Sequence, residues 1–164
     1  MSTTKTTKTA KATVHLSFNA LSPFERVRDQ YRDHGIQFEQ AIALSPTNPA
    51  FSHYAHPLVL MPTAGHTSLL MRFSSSVLHI SASVIGLRQI SLVALDAQGK
   101  VIARHAVHGK RSLHQHRDLT LPLPCLTLDA IGPNMHQVAL MSDAPFVVND
   151  ILFTPSPDES SPDE

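Results

Sequence analysis

Histidine is the most frequent side chain in this sequence with acid–base and metal-binding chemistry, at 11 of 164 residues. The segment from Lys100 to Arg117 collects basic side chains and contains no acid. Protonated imidazoles and guanidinium groups attract anions, and two imidazoles on one side of a strand suit a metal. The segment is therefore a candidate anion-binding or metal-binding face, formed by Arg104, His105, His108, Lys110, Arg111, His114 and His116. Anion binding there would strengthen below about pH 6.5. The alternative is a solvated hairpin arm with ordinary surface histidines.

A second candidate surface lies in the middle of the chain. His53, Tyr54 and His56 follow Phe51, and His66 comes after the proline-containing stretch 57–65. Loops on a rigid scaffold often carry binding residues. The sequence therefore predicts a ligand or partner surface at these four residues, with an ordered proline-rich loop as the alternative.

No enzyme signature occurs in the chain. It has no glycine-rich phosphate loop, no Gly-x-Ser-x-Gly elbow, no His-Glu-x-x-His and no paired cysteines. Cys125 stands between Pro124 and Leu126, an apolar setting that predicts a small core residue and not an activated thiol. We expect a protein that is not an enzyme and has no catalytic residues.

The balance of positive and negative charge limits the classes of binding partner that we expect. Thirteen basic residues stand against 13 acidic ones, so neither nucleic acid nor an anionic membrane is the expected partner. No apolar run approaches the ~18 residues of a membrane span. The first residues lack the apolar core of a signal peptide, which predicts a cytoplasmic protein if the chain is complete. If a leader is missing, an extracellular or surface location is expected.

The elements that must position these residues follow a period of two. Apolar and polar residues alternate over Val14–Phe18, Leu78–Val84 and Leu119–Leu123, as in half-buried antiparallel strands. Asp96-Ala-Gln-Gly99 predicts a hairpin turn between two of the further strands. Those strands are predicted at Gly35–Ala43, Leu58–Met61, Ser68–Phe73, Ile90–Leu95, Val101–Val107, His136–Met141 and Phe146–Phe153, with Gly132-Pro-Asn134 as a loop.

One segment has a helical signature. Ser22-Pro-Phe-Glu25 combines an N-cap serine, a proline at the first position and a glutamate three residues after the cap, which predicts a short helix near residues 22–33. Many strands and one short helix predict an all-β fold, a two-sheet antiparallel β-sandwich. We expect a basic tail over 1–11, one domain over 12–154 and an acidic tail over 155–164.

Several stretches resemble a known family. They are Phe18–Leu21, Val27–Phe38, Ser45–Phe51, the hairpin around Asp96–Gly99 and the ending Phe146–Phe153. Together they resemble galactose-binding-domain-like jelly-roll domains of bacterial surface proteins, including those with PEP-CTERM anchors. The resemblance implies a fold used for carbohydrate and surface recognition, often with a structural calcium. Asp150 matches the acidic residue near the family's last strand, and Asn19 stands where an acidic residue is common.

Two functions follow. The first is an interaction or structural module that docks onto a protein partner or a second copy of itself within a larger assembly. The alternative is a lectin-like module that binds carbohydrate or another surface ligand and is stabilised by calcium. The chain has no Trp and only Tyr31 and Tyr54, so few rings are available to stack on sugar faces.

Overall fold

A computed structural model describes residues 12–108 and 122–157 of the chain. These residues form ten strands, one short α-helix and a 3-10 turn at Arg32–His34. The strands are β1 (Val14–Leu16), β2 (Arg26–Val27), β3 (Ile36–Glu39), β4 (Ala41–Leu44), β5 (Val59–Pro62), β6 (Ser68–Gly86), β7 (Ile90–Leu95), β8 (Val101–Val107), β9 (Leu126–Met141) and β10 (Phe146–Pro155), and the helix is α1 (Pro49–Ser52). No helix within the described residues is long and apolar enough to cross a membrane.

All strand pairs are antiparallel, and hydrogen bonding runs through one sheet in the order β2-β4-β5-β10-β6-β9-β7-β8, with β1 on β10 and β3 on β6. The register of β6 against β9 shifts between Arg72 and His79. Before the shift β6 lies between β3 and the end of β9, and after it between β10 and the start of β9. The long strands therefore belong to both halves of the sheet.

The two halves of the sheet share one core. Leu69 and Met71 point inward before the register shift in β6, and Ile80 and Ala82 point inward after it, and all four belong to one buried cluster. The Phe73 and Phe153 rings lie 5.0 Å apart between centroids. The sheet thus folds over to bury both inner faces, which confirms the predicted all-β sandwich.

A smaller buried cluster lies on the other side of the strands, around Val59, Ile85 and Val147. Phe51 and Ala55 pack against it, so the chain after α1 covers this face. The helix begins because the Asn48 side chain accepts a hydrogen bond from the Ala50 amide at 3.0 Å and Pro49 occupies the first turn. This small helix places residues 53–56 beside the sheet.

The predicted helix near residues 22–33 is wrong except for the 3-10 turn. The capping contact itself forms, since the Ser22 amide donates to Glu25 Oε2 at 2.8 Å. Phe24 then adopts a φ of 67°, and Val27 pairs with Ala41 and is fully buried. Burial of Val27 in the sheet outweighs a local helix signal of about 1 kcal/mol.

Three boundaries also differ from the predicted ones. The stretch 35–43 forms two strands, because Gln40 has a φ of 60° and breaks the pairing. Ser68–Phe73 and Leu78–Val84 join into β6, and the predicted loop Gly132–Asn134 lies inside β9 with Asn134 at φ 64°. The tail predictions fall largely on 1–11 and 158–164, which lie outside the described residues, as do 119–121 of the predicted strand Leu119–Leu123.

The hairpin of β7 and β8 is confirmed with the predicted bounds. One Asp96 carboxylate oxygen accepts from the amides of Gln98 and Lys100, both at 2.9 Å. Gly99 has a φ of 83°, a conformation that other residues rarely adopt. The turn chemistry thus sets the register that carries Arg104 and His105.

Candidate functional site

A polar cleft of about 580 Å³ opens beside β2, β3 and the first part of β6. Its volume lies within the range of about 300–1,000 Å³ that is typical of ligand sites. We call it the arginine cleft, after the charged and polar residues in its wall: Arg26, Arg28, Asp29, Gln37, Glu39, Gln40, Thr63, His66 and Arg72.

Strand alternation brings the long side chains of the arginine cleft to one face. Arg26 and Arg28 flank the buried Val27, and both are exposed. In the same way Gln37 and Glu39 flank a buried phenylalanine in β3. Because side chains two residues apart on a strand share a face, each pair points into the cleft together. Sequence reasoning missed the site because it placed Arg26 and Arg28 on a helix, where i and i+2 diverge.

The acids of the arginine cleft already have partners. Glu39 forms an ion pair with Arg72, with Oε1 and Nε 3.2 Å apart. Asp29 Oδ1 accepts a hydrogen bond from Gln37 Nε2 at 2.7 Å. Within residues 12–108 and 122–157, neither Arg26 nor Arg28 forms an ion pair. The Gln37 amide is neutral, so Asp29 keeps its negative charge, and three arginines stand against two acids in the wall. Among the described residues, Arg26 and Arg28 are the guanidinium groups of the cleft that lie outside an ion pair.

His66 belongs to the arginine cleft and not to the His53 loop. Its Nδ1 lies 2.9 Å from Thr63 Oγ1, and both residues line the cleft. Residues 53–56 precede β5 and His66 follows it, so the strand separates the two groups. The structure therefore places His66 in the arginine cleft, after β5, and residues 53–56 before that strand.

Gln40 fixes the floor of the arginine cleft. Its carbonyl accepts from the Thr63 amide at 2.9 Å, and its side-chain oxygen accepts from Ser68 Oγ at 3.2 Å. The positive φ of Gln40 adds local strain of a kind that is often kept at functional sites. These bonds hold β3 and β5 in a fixed relation around the cleft.

A second, smaller cavity of about 140 Å³ gathers several predicted residues. His15, Asn19, His56 and Asp150 line it, together with the buried Asn149. Asp150 is hydrogen-bonded to His15 Nε2. The structure therefore brings the candidate calcium residues Asn19 and Asp150 together with His56 from the second predicted surface.

The residues of this smaller cavity fit calcium poorly. Calcium takes six to eight oxygen ligands, usually several of them carboxylates. Asp150 is the one carboxylate among the described lining residues, and its Oδ1 is engaged by His15. The part of the chain that the structure describes holds no group of three His, Cys, Asp or Glu placed to bind a metal.

We therefore expect calcium to leave the stability of the protein unchanged. Since a ligand that binds the folded state raises the melting temperature by mass action, the melting curve is a direct test. The intact chain should melt at the same temperature with millimolar calcium as with a chelator. A rise with calcium that is lost in Asn19→Ala would contradict this expectation.

The loop after α1 presents an aromatic pair. The rings of His53 and Tyr54 lie 4.6 Å apart and nearly perpendicular, and Tyr54 is 54% exposed. The end of this loop is held against β10, because the His56 amide donates a hydrogen bond to Asn149 Oδ1 at 2.6 Å. The predicted second surface is thus an ordered loop with an exposed tyrosine.

Comparison with known proteins gives a fold and no family. No family model and no curated protein matches the chain. The K2 cleaved adhesin domain of Lys-gingipain is similar at TM-score 0.57 and 11% identity over 88% of this chain and 99% of that one. A family 29 carbohydrate-binding module from Piromyces equi reaches TM-score 0.44 at 7% identity, covering 77% of this chain and 85% of the module. The fold is shared with the adhesin domain. At this identity the likeness concerns the fold alone.

The predicted basic segment is divided by the structure. Lys110, Arg111, His114 and His116 lie outside the described residues. His108 follows the end of β8 and is exposed.

Arg104 and His105 are neighbours on β8, so their side chains point to opposite faces. Arg104 is exposed opposite Val93, whereas His105 pairs with the buried Leu92. The two therefore do not form one basic face.

His105 has a structural role at the edge of the sheet. Its Nδ1 accepts a hydrogen bond from the Asp129 amide at 2.9 Å, which joins β8 to the start of β9. An acceptor nitrogen carries no proton, so the ring that makes this bond is not protonated at Nδ1.

His105→Ala should lower the free energy of unfolding by about 1 kcal/mol, because the Asp129 amide loses its acceptor. For a chain of this length the melting temperature should fall by about 2–4 °C. His108→Ala is the matched control, since His108 is exposed just beyond the strand. Equal melting temperatures for the two variants would show that the bond contributes nothing.

Cys125 is exposed, so the prediction that it is a core residue is wrong. Partial burial of its sulfur raises the pKa of the thiol above its usual value, and the nearby Asp150 charge adds to the rise. Hydrogen bonds with Asn149 and Ser83 act in the opposite direction. Since the thiolate is the reactive form, Cys125 lacks the environment of a nucleophile.

Proposed function

We propose that this protein is a non-catalytic binding module that holds a ligand of the carbohydrate class in the arginine cleft. The observation that carries the proposal is a cleft of ligand size whose wall offers guanidinium and amide groups from β2, β3 and β6 and a hydroxyl group from the segment after β5. Sites built on strands hold their side chains more firmly than sites on loops. A binding role also agrees with the similarity of the fold to the adhesin domain.

The chemistry of the wall suits a sugar. Each hydroxyl of a sugar is both a donor and an acceptor, and the amides of Gln37 and Gln40 supply both functions, as does the Thr63 hydroxyl. Phe38 is 1% exposed and offers no ring face. The ligand would therefore be held by polar contacts and not by aromatic stacking.

The carboxylates of the cleft do not form a catalytic pair. Asp29 is exposed and bonded to Gln37, and Glu39 is half exposed and paired with Arg72. A catalytic acid usually lies in a buried, apolar pocket, and neither of these carboxylates is buried. These two carboxylates would instead orient the cleft's amide and guanidinium groups toward a ligand.

The experiment is a glycan array with the intact chain, followed by binding measurements on matched variants. Gln37 and Gln137 lie on opposite sides of Arg72 in the sheet, and only Gln37 lines the cleft. Gln37→Ala should weaken the binding of a glycan identified on the array about tenfold, whereas Gln137→Ala should bind like the unaltered chain. An array without bound glycan, or equal binding by both variants, would overturn the proposal.

A second candidate function is docking onto a protein partner or a second copy of the chain. Ile131 favours it, since this side chain is 72% exposed in the middle of β9. Light scattering after size exclusion would show an oligomer or a co-purifying complex, and Ile131→Ser would shift it toward the monomer. A monomer without a partner would contradict this candidate. For both candidate functions, we propose that the protein is located at a cell surface or outside the cell.

A further inference from the structure

We infer that the ligand of the arginine cleft is an acidic saccharide, one whose uronate carboxylate binds Arg26 and Arg28. This inference rests on the proposed function and narrows its ligand class. The inference follows from the charges of the arginines and acids that line the cleft and from the ion pairs among them.

Three arginines line the cleft, and they differ in their partners. Arg72 is compensated by Glu39 at 3.2 Å. Asp29 is the other acid of the wall, and its Oδ1 accepts from Gln37 at 2.7 Å. Among the described residues Arg26 and Arg28 have no ion-pair partner. Because the Gln37 amide does not neutralise Asp29, the three arginines exceed the two acids of the wall by one charge, and this excess favours an anion at Arg26 and Arg28.

The backbone that carries Arg26 and Arg28 is held by hydrogen bonds. Arg26 lies in β2, Arg28 directly follows the strand, and both side chains line the cleft; an extended backbone separates such Cα atoms by about 6.6 Å. Gln30 fixes the backbone on which they stand: its Nε2 donates to the Arg26 carbonyl and its Oε1 accepts from the Arg28 amide, both at 2.7 Å. A planar guanidinium matches a carboxylate with two parallel hydrogen bonds.

The remaining wall favours a sugar acid over a simple anion. Gln40 and Thr63 lie in the same cleft and offer neutral donors and acceptors to hydroxyl groups. An inorganic anion would leave these groups to water and would gain nothing from the volume of about 580 Å³. A saccharide with one carboxylate uses both the charged and the neutral parts of the wall.

The experiment compares charged and uncharged forms of the same sugars. Short oligosaccharides of galacturonic, glucuronic and mannuronic acid are titrated into the intact chain by calorimetry, each beside its methyl ester, which removes the charge and keeps the ring. We expect at least one acid to bind ten or more times tighter than its ester, with affinity that falls as salt is raised.

Variants locate the binding. Arg26→Gln and Arg28→Gln should each weaken the acid about tenfold and leave the ester unchanged. Arg88→Gln is the control, since Arg88 is an exposed arginine that pairs with Asp143 and does not line the cleft. Circular dichroism of each variant would show that the fold is kept.

The outcomes separate this inference from the proposed function. If esters or neutral glycans bind as well as the acids and Gln37→Ala weakens them, the cleft is a sugar site and the acidic ligand is wrong. Acid binding that Arg26→Gln and Arg28→Gln leave intact would also overturn the inference. If inorganic phosphate binds as tightly as the sugar acids, the inference that the ligand is a saccharide is wrong. No binding of any sugar would overturn both proposals.

Discussion

Replacement of Phe153 with alanine should lower the free energy of unfolding by about 3–5 kcal/mol. The side chain is 2% exposed, and its ring packs 5.0 Å from that of Phe73. Phe73 ends the first part of β6 and Phe153 pairs with Ile80 in the second part, so this contact joins the two halves of the folded sheet. Alanine would leave a void where the halves meet, and close-packed interiors relax only partly around such voids.

Leu152→Ala is the matched control for Phe153→Ala. Leu152 is the preceding residue of β10, points to the opposite face and is 36% exposed, so its loss should cost far less than that of Phe153. Urea unfolding of both variants, followed by circular dichroism, gives the two free energies. Similar losses for Leu152→Ala and Phe153→Ala would mean that the end of β10 at these two residues does not have one buried and one solvent-exposed face, which would contradict the sandwich.

The sequence predicts the strands well where short apolar runs flank a clear turn signal. β7 and β8 appear with the predicted bounds because their apolar runs lie on either side of the turn signal at Asp96–Gly99. The structure of a segment can be predicted from sequence when its local signals agree with the global fold. The alternation over Leu78–Val84 also predicts correctly that Ile80 and Ala82 of β6 point into the core.

The sequence fails where a tertiary contact opposes a local signal. Ser22 and Glu25 make the predicted capping contact, yet Val27 is drawn into the sheet beside Ala41 and no helix follows. Gly132–Asn134 has turn composition, yet the chain continues as β9 through it. Both cases depend on long-range pairing that a local window does not contain.

The candidate site was harder to predict than the fold. Arg26, Gln37 and Arg72 are far apart in the chain and carry no motif, and only the pairing of β3 with β6 and of β2 with β4 brings their strands to one cleft. Composition favours the histidine-rich segment, but four of its seven candidate residues lie outside the described residues, and His105 forms a hydrogen bond at the edge of the sheet. That surface stays a prediction, whereas strand register forms the cleft that we propose as the site.

Asn149→Ala should lower the free energy of unfolding by about 1–3 kcal/mol and release the loop of residues 53–56. Asn149 is 8% exposed, and its amide group ties this loop to β10. Its Oδ1 accepts from the His56 amide at 2.6 Å, and its Nδ2 donates to the Tyr54 carbonyl at 3.4 Å. Alanine would leave both backbone groups without their partner, and this cost is larger than the gain from a typical exposed hydrogen bond.

Asn19→Ala is the matched control for Asn149→Ala, because Asn19 lines the same small cavity and is exposed. Its loss should change the free energy of unfolding by less than about 0.5 kcal/mol. Hydrogen exchange at the His56 amide separates loop release from a general loss of stability: it should accelerate in Asn149→Ala by more than the exchange of core amides in β6. If His56 exchanges no faster than in the Asn19→Ala variant, Asn149 does not anchor the loop, and the exposed Tyr54 would owe its position to the packing of Phe51 and Ala55 alone.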